Sequence, residues 1–226
     1  HVQTVAAQLV DLLAIKVPAK HVLPEVLSFA SPAISDADPK RRHAATACLG
    51  IVAEGCAEGL SKVAPDVTPL VVRALRDPSP DVRGAAAFTL GQFAEFLNYP
   101  DESAAHAVAL PELFAAMPTE ADRKVQERMM YAMDSWLETL EDDVGPYVEP
   151  LLRIVFMALD SPDARPRVRE MLLSAVASAA AAAGDAMHPH LSALLPRLER
   201  CLVATGDADL RPRARALEVL GMLVSA

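Results

Sequence analysis

The sequence predicts an all-α fold built from repeated helix pairs, and three observations carry that prediction. The first is composition: of 226 residues 52% are apolar, 23% charged and only 4% aromatic, with a heavy share of alanine and leucine. A chain this apolar buries a core and is no disordered tail. The second is punctuation: 18 prolines and 9 glycines break up the apolar stretches, while strand formers are sparse outside helical spacing, which argues against a sheet. The third is a motif that recurs along the chain. Arg42-His-Ala-Ala-Thr-Ala-Cys-Leu-Gly50 reads beside Arg83-Gly-Ala-Ala-Ala-Phe-Thr-Leu-Gly91, and the same register fits Gln3 to Asp11, Gln126 to Asp134, Arg169 to Ala177 and Arg213 to Gly221, at steps of 39, 41, 43, 43 and 44 residues.

Taken in order, residues 1–18 hold a lone second helix, Gln3 to Ala14, and repeats follow at 19–59, 60–100, 101–143, 144–184 and 185–226. Each repeat opens with an apolar stretch containing proline: Leu23-Pro24, Thr68-Pro69-Leu70, Leu110-Pro111, Glu149-Pro150-Leu151 and Leu195-Pro196. The spacing of Val67, Leu70, Val71 and Leu75 makes that stretch a first helix, and the proline inside it removes one backbone bond and is expected to bend it. Turn-like linkers come next: Ser35 to Pro39, Asp77 to Pro80, Pro118 to Glu120, Ser161 to Asp163 and Thr205 to Ala208. The second helix then shows an apolar stripe at positions 82, 85, 86, 90, 93, 94 and 97, with the helical period. Asp81 or Ser79 is placed to cap it, with Pro80 in its first turn, where a missing N–H costs least. A helix pair at this repeat length is the anatomy of HEAT repeats, an armadillo-like α-α superhelix. The last helix, Arg213 to Ala226, resembles an interior one, as does the first, so a piece of a longer array is expected.

Composition also bounds the chemistry. Acids outnumber bases by 30 to 21, and a formal charge of −9 opposes direct nucleic-acid binding. Residues 101–145 hold 11 acids and 3 bases, so most of the excess lies in one fifth of the chain. The longest uncharged apolar run, Met171 to Gly184, is 14 residues, too short for a bilayer span, so no membrane insertion is expected. Three cysteines, Cys48, Cys56 and Cys201, fit a reducing compartment and no disulfide framework. No phosphate loop and no Gly-x-Ser-x-Gly elbow occurs. His188-Pro-His190 stands without partner ligands, and Cys48 and Cys56 are too far apart on one helix to share a zinc ion. No metal, cofactor or catalytic residue is therefore expected. Met129, Met130, Met133 and Trp136 fall on the buried stripe and read as core.

The residues left over lie on the second helices. Glu54, Glu95 and Glu138 stand 12 residues beyond Arg42, Arg83 and Gln126, and equivalent positions of stacked repeats form a ladder. Gln92, Glu95 and Tyr99 share a helical face with Phe88, Tyr131, Ser135, Glu138 and Asp142 form the matching set, and Glu54 and Glu58 the preceding one. Asp134 adds a further acid. Carboxylates interleaved with rings suit an extended Lys- or Arg-rich peptide. In the following repeat Ala181 replaces the ladder acid, so the acidic site is expected to end before it. Arg42, Arg83, Arg169 and Arg213 begin second helices and are read as ties between repeats, with Asp81 as one partner.

At these residues the chain resembles a known family. The run Asp81-Val-Arg-Gly-Ala-Ala-Ala-Phe-Thr-Leu-Gly-Gln-Phe-Ala-Glu95 is similar to the HEAT repeats of importin-β-type nuclear transport receptors. Val10 to Pro18, Tyr131 to Leu140 and Pro146 to Leu152 fit the same family. The resemblance implies a middle portion of a monomeric receptor that imports basic cargo, core histones and ribosomal proteins, through the nuclear pore. It implies Phe-Gly nucleoporins and Ran-GTP as partners of the full receptor, and shuttling between cytoplasm and nucleus. The alternative is a HEAT-repeat scaffold outside transport, using its inter-helix loops.

Overall fold

The computed structural model describes residues 2–99 and 102–225, the side chains at positions 2–4, 102–104, 141, 142 and 225 excepted. Among the described residues there are 11 α-helices and no strand: α1 (Val2–Lys16), α2 (Ala19–Ala33), α3 (Pro39–Ile51), α4 (Ala57–Ala74), α5 (Pro80–Phe96), α6 (Glu102–Ala116), α7 (Arg123–Glu138), α8 (Gly145–Asp160), α9 (Pro166–Ala183), α10 (Leu191–Val203) and α11 (Leu210–Ser225). None of them is long and apolar enough to cross a membrane. Internal contacts divide the chain into two compact units, His1–Ala132 and Met133–Ala226, with the boundary inside α7.

Local chemistry starts the helices where it can be read. Asp38 accepts the Lys40 N–H at 2.9 Å, with Pro39 at the first helical position of α3. Ahead of α7, Asp122 accepts the N–H groups of Lys124 at 2.8 Å and Val125 at 3.2 Å. Both satisfy donors a helix leaves open at its start. At α5 the N-cap residue is Ser79, but its side chain makes no capping bond and Asp81 stands in the first turn. Asp77 instead accepts the Ser79 N–H at 2.8 Å. The first helices run through their prolines, with Pro24 and Pro32 inside α2, Pro65 and Pro69 inside α4, and Pro111, Pro150 and Pro196 inside α6, α8 and α10. α9 stops at Gly184, whose φ of +46° is a left-handed conformation glycine adopts without a Cβ penalty.

In the first unit α1, α3 and α5 pack side by side, α2, α4 and α6 do likewise, and each of α2 and α4 lies on the helix that follows it. Leu49, Leu60, Leu75, Leu90, Phe93, Leu110, Leu113, Met129 and Met130 are fully buried there; each such side chain contributes roughly 1.5–3 kcal/mol. The second helices approach closely because small residues face them. Thr89, itself buried, donates to the Thr46 carbonyl at 2.8 Å, and a Cβ on Gly50 would sit 2.6 Å from its hydroxyl. In the second unit α8 packs on α9, α10 on α11, and α9 on α11. Its core includes Met133, Leu137, Leu151, Val155, Leu172, Leu173, Val176, Leu194 and Leu198, with Trp136 only 3% exposed. The methionines and the tryptophan of α7 are core, as their place on the apolar stripe requires.

Candidate functional site

On the first unit the second-helix face is organised around Tyr131. Its hydroxyl donates to Glu95 Oε2 at 2.5 Å and accepts from Gln92 Nε2 at 2.9 Å. The ring lies against Gly91 of α5, where a Cβ would stand 2.3 Å from Tyr131 Cε1, so only glycine lets α5 and α7 approach this closely. Glu95 remains exposed, so its carboxylate is fixed in direction and still open to a cation from solvent. Glu54 is also exposed, in the turn at positions 52–56 that follows α3. That turn is held against α1: a Cβ on Gly55 would lie 2.3 Å from the Ala14 carbonyl. Fixed carboxylates beside an aromatic ring can accept charge-assisted bonds from ammonium or guanidinium groups, and the ring supports the alkyl stem.

On the second unit the acids of α7 border a groove of about 860 Å³ shared with Ser178 and Ala181 of α9 and Arg215 and Met222 of α11. Asp134 accepts from Ser178 Oγ at 2.9 Å. Burial pushes its carboxyl above the usual aspartate range, against the hydrogen bonds of Ser178 and Ser174, which hold it down. Glu138, the last residue of α7, is exposed and Ser135 half-buried. Arg215 pairs with Glu218 at 2.5 Å, so this groove carries mixed charge where the first unit's face is acidic.

Two residues of the expected face lie elsewhere. Tyr99 is beyond α5, which ends at Phe96 with Leu97 extended. Its hydroxyl is 3.1 Å from Thr68 Oγ1 on α4, and burial raises its pKa to about 12. Pro100 follows it, and a residue before proline is kept out of the helical region, so the helical spacing that placed Tyr99 beside Glu95 does not extend so far. Glu58 is in the first turn of α4, not on α3, and pairs with Lys62 at 3.0 Å. The side chain of Asp142 lies outside the described residues.

The arginines that open second helices form forks. Arg42 meets Asp77 through Nε at 2.7 Å and Nη2 at 2.9 Å, while its Nη1 donates to the carbonyls of Asp36 and Ala37. Arg83 repeats this with Glu120, at 2.6 and 2.8 Å, and with the carbonyls of Asp77 and Pro78. The partners are therefore Asp77 and Glu120, not Asp81. Bidentate guanidinium bonds hold both carboxyls below their ordinary range. Arg213 donates to the Ala204 carbonyl at 2.7 Å. Arg169 donates to the Ser161 carbonyl at 3.1 Å, but its paired acid, Asp209, is 4.0 Å away. Sequence reasoning missed the acids of these forks, although the signal was present: Asp36, Asp77, Glu120, Asp163 and Asp207 each stand six residues before Arg42, Arg83, Gln126, Arg169 and Arg213. Arg42 and Arg83 each grip the acid of the following linker. Among the described residues no group of three or more His, Cys, Asp or Glu could hold a metal ion.

Comparison with known proteins adds the following. A HEAT-like repeat family model matches residues 39–93. Importin-4 of Homo sapiens is 31% identical over 98% of this chain and 20% of its own length. The probable importin subunit beta-4 of Schizosaccharomyces pombe is 28% identical over 98% of this chain and 21% of its own. The chain thus spans about one fifth of the relatives it matches. A crystal structure of Kap121p bound to Nup53p superposes with a TM-score of 0.85 at 25% identity, covering 96% of this chain and 21% of that one. The fold is the all-α HEAT-repeat class.

Proposed function

Because the chain is homologous over nearly its whole length to the importin-4 and importin beta-4 proteins, we propose that it is a segment of a nuclear import receptor and binds basic cargo. The observation that carries the reading is the Gln92–Tyr131–Glu95 cluster, an exposed carboxylate held in place by a tyrosine hydroxyl that is itself held by an amide. Lys- and Arg-rich segments, of the kind found in core histones and ribosomal proteins, are the cargo class such a face suits. On the first unit Glu54 and Glu95 supply charge, with Gln92 and Tyr131 orienting Glu95; on the second, Glu138 supplies charge and Asp134 and Ser135 add polar contacts. Tyr99 and Glu58 are left out of this set on their positions. A receptor of this kind shuttles between cytoplasm and nucleus, engages Phe-Gly nucleoporins and releases cargo when Ran-GTP binds; the Nup53p complex of Kap121p supports a nucleoporin partner for the whole receptor.

The test is fluorescence anisotropy of a labelled Lys-rich histone-tail peptide against the chain at two salt concentrations, beside a variant carrying Glu54→Lys, Glu95→Lys and Glu138→Lys. Exposed charges are screened over about 8 Å at physiological ionic strength, so affinity is expected to fall as salt rises and to drop at least about tenfold in the variant. Equal, salt-insensitive binding by a still-helical variant would overturn the reading.

A further inference from the structure

The forks of the first unit and the fork of Arg169 occupy the same place in the repeat pattern, the first turn of a second helix. They differ in what fills them. Arg42 and Arg83 each close on a carboxylate with two bonds of 2.6–2.9 Å. Arg169 does not: Asp209 stands 4.0 Å away, and Arg169 Nε is buried with no hydrogen-bond partner among the described residues. By register the partner of Arg169 would be Asp207, which is exposed at the start of a short 3-10 turn, Asp207–Asp209.

Beside this open fork is a cavity of about 210 Å³ lined by Arg169, Arg197, Arg200, Cys201, Asp209 and Pro212. Arg197 lies over the Phe156 ring at 4.2 Å, which orients its guanidinium, and both Arg197 and Arg200 bond Asp160. Three guanidiniums thus share two carboxylates, Asp160 and Asp209, and one positive charge is left over. A buried guanidinium N–H without an acceptor is a costly vacancy in hydrogen bonding, and arginine clusters of this kind recognise oxyanions through paired N–H groups.

We propose that this pocket is an oxyanion site that takes a phosphate monoester, filling the fork that an internal carboxylate fills in the first unit. A phosphate offers three terminal oxygens, enough to meet Arg169 and Arg200 together while Arg197 keeps Asp160; a carboxylate offers two. The ligand is a phosphorylated side chain of a protein partner or free phosphate, which share this chemistry. The site is separate from the acidic face and selects for the opposite charge.

Calorimetric titration of the whole 226-residue chain with inorganic phosphate, with a phosphoserine peptide and with the same peptide unphosphorylated tests this. Saturable phosphate binding is expected, weakened at least about tenfold in Arg169→Gln and in Arg200→Gln, and unchanged in Arg153→Gln, whose side chain is 72% exposed elsewhere on the unit. Tighter binding of the phosphopeptide identifies a phosphorylated partner, and equal binding identifies the free ion. In the unmodified protein phosphate should also slow alkylation of Cys201 and leave Cys48 unaffected, a readout that needs no variant. No saturable binding, equal affinity in Arg169→Gln, or undiminished Cys201 alkylation overturns the proposal.

Discussion

The two units use one repeat in two ways. In the first, the second-helix face presents an exposed carboxylate oriented by a tyrosine, and the arginine forks at the helix starts are closed by internal acids. In the second, the acid of α7 is half-buried under Ser178, Arg215 and Glu218 pair with each other along α11, and the Arg169 fork is open. The comparison teaches that a repeat position fixes where a side chain stands, while the residue opposite decides its role. A closed fork contributes to stability; an open one is available to a ligand. An exposed fixed carboxylate can receive a cation; a recessed one bonded to serine is already engaged.

The sharpest way to break this comparison is to remove the forks one at a time. Arg83→Gln strands Glu120, whose side chain is 3% exposed, and is expected to lower stability by about 3 kcal/mol in urea unfolding followed by circular dichroism. Arg169→Gln, whose paired acid Asp209 stands 4.0 Å away, should cost less than about 1 kcal/mol. Comparable losses would show that the second fork is closed as well. Next in size is Gly91→Ala, whose methyl would meet the Tyr131 ring at 2.3 Å. The ring must shift, at about 1–3 kcal/mol, and the Glu95 carboxylate loses its orientation, so peptide affinity should fall together with stability.

Acid separates the units further. Asp77 and Glu120 have carboxyls depressed below the ordinary values of 3.8 and 4.5. Their contribution is complete above those ordinary values and is lost as pH falls through the depressed ones. Asp134 is raised, so its contribution runs the other way, present at low pH and lost as pH rises through its folded value. Melting temperature should therefore fall on acidification below about pH 4.5, less steeply in Glu120→Gln, which has no proton to take up there. An unchanged slope would mean that the Arg83–Glu120 pair does not govern acid stability. The smallest effect is that of Tyr131→Phe, which removes two hydrogen bonds from an exposed cluster and should cost about 1 kcal/mol, with a several-fold loss of peptide affinity.

Much of this was legible in the sequence. The repeat of Arg42, Arg83, Gln126, Arg169 and Arg213 places every second helix, and the proline-marked stretches place the first ones, because periodic apolar residues and breakers act locally. Glu95 and Tyr131 were legible as members of one ladder face but not as partners, since equal offsets match Glu95 with Glu138 and Phe88 with Tyr131. Tyr99 was not, because a helical wheel does not say where a helix stops, and α5 ends three residues short of it. Glu58 was misplaced for the same reason: the chain turns after Ile51, and position 58 belongs to the next helix. The partners of the arginine forks were present as a second periodic series of acids in the linkers, but pairing between repeats needs the stagger of neighbouring helices, which no single repeat displays.

The central claim is that opposite charges are received at separate places, cations by the fixed carboxylates and anions by the open arginine fork. The most direct test is one set of backbone amide NMR spectra, recorded as the Lys-rich peptide and then inorganic phosphate are titrated into the chain. The peptide is predicted to shift amides around Glu95 and Tyr131, and phosphate those around Arg169 and Arg200, with no overlap between the two sets. Coincident shifts for both titrants, or a peptide that moves only the arginine pocket, would contradict the account.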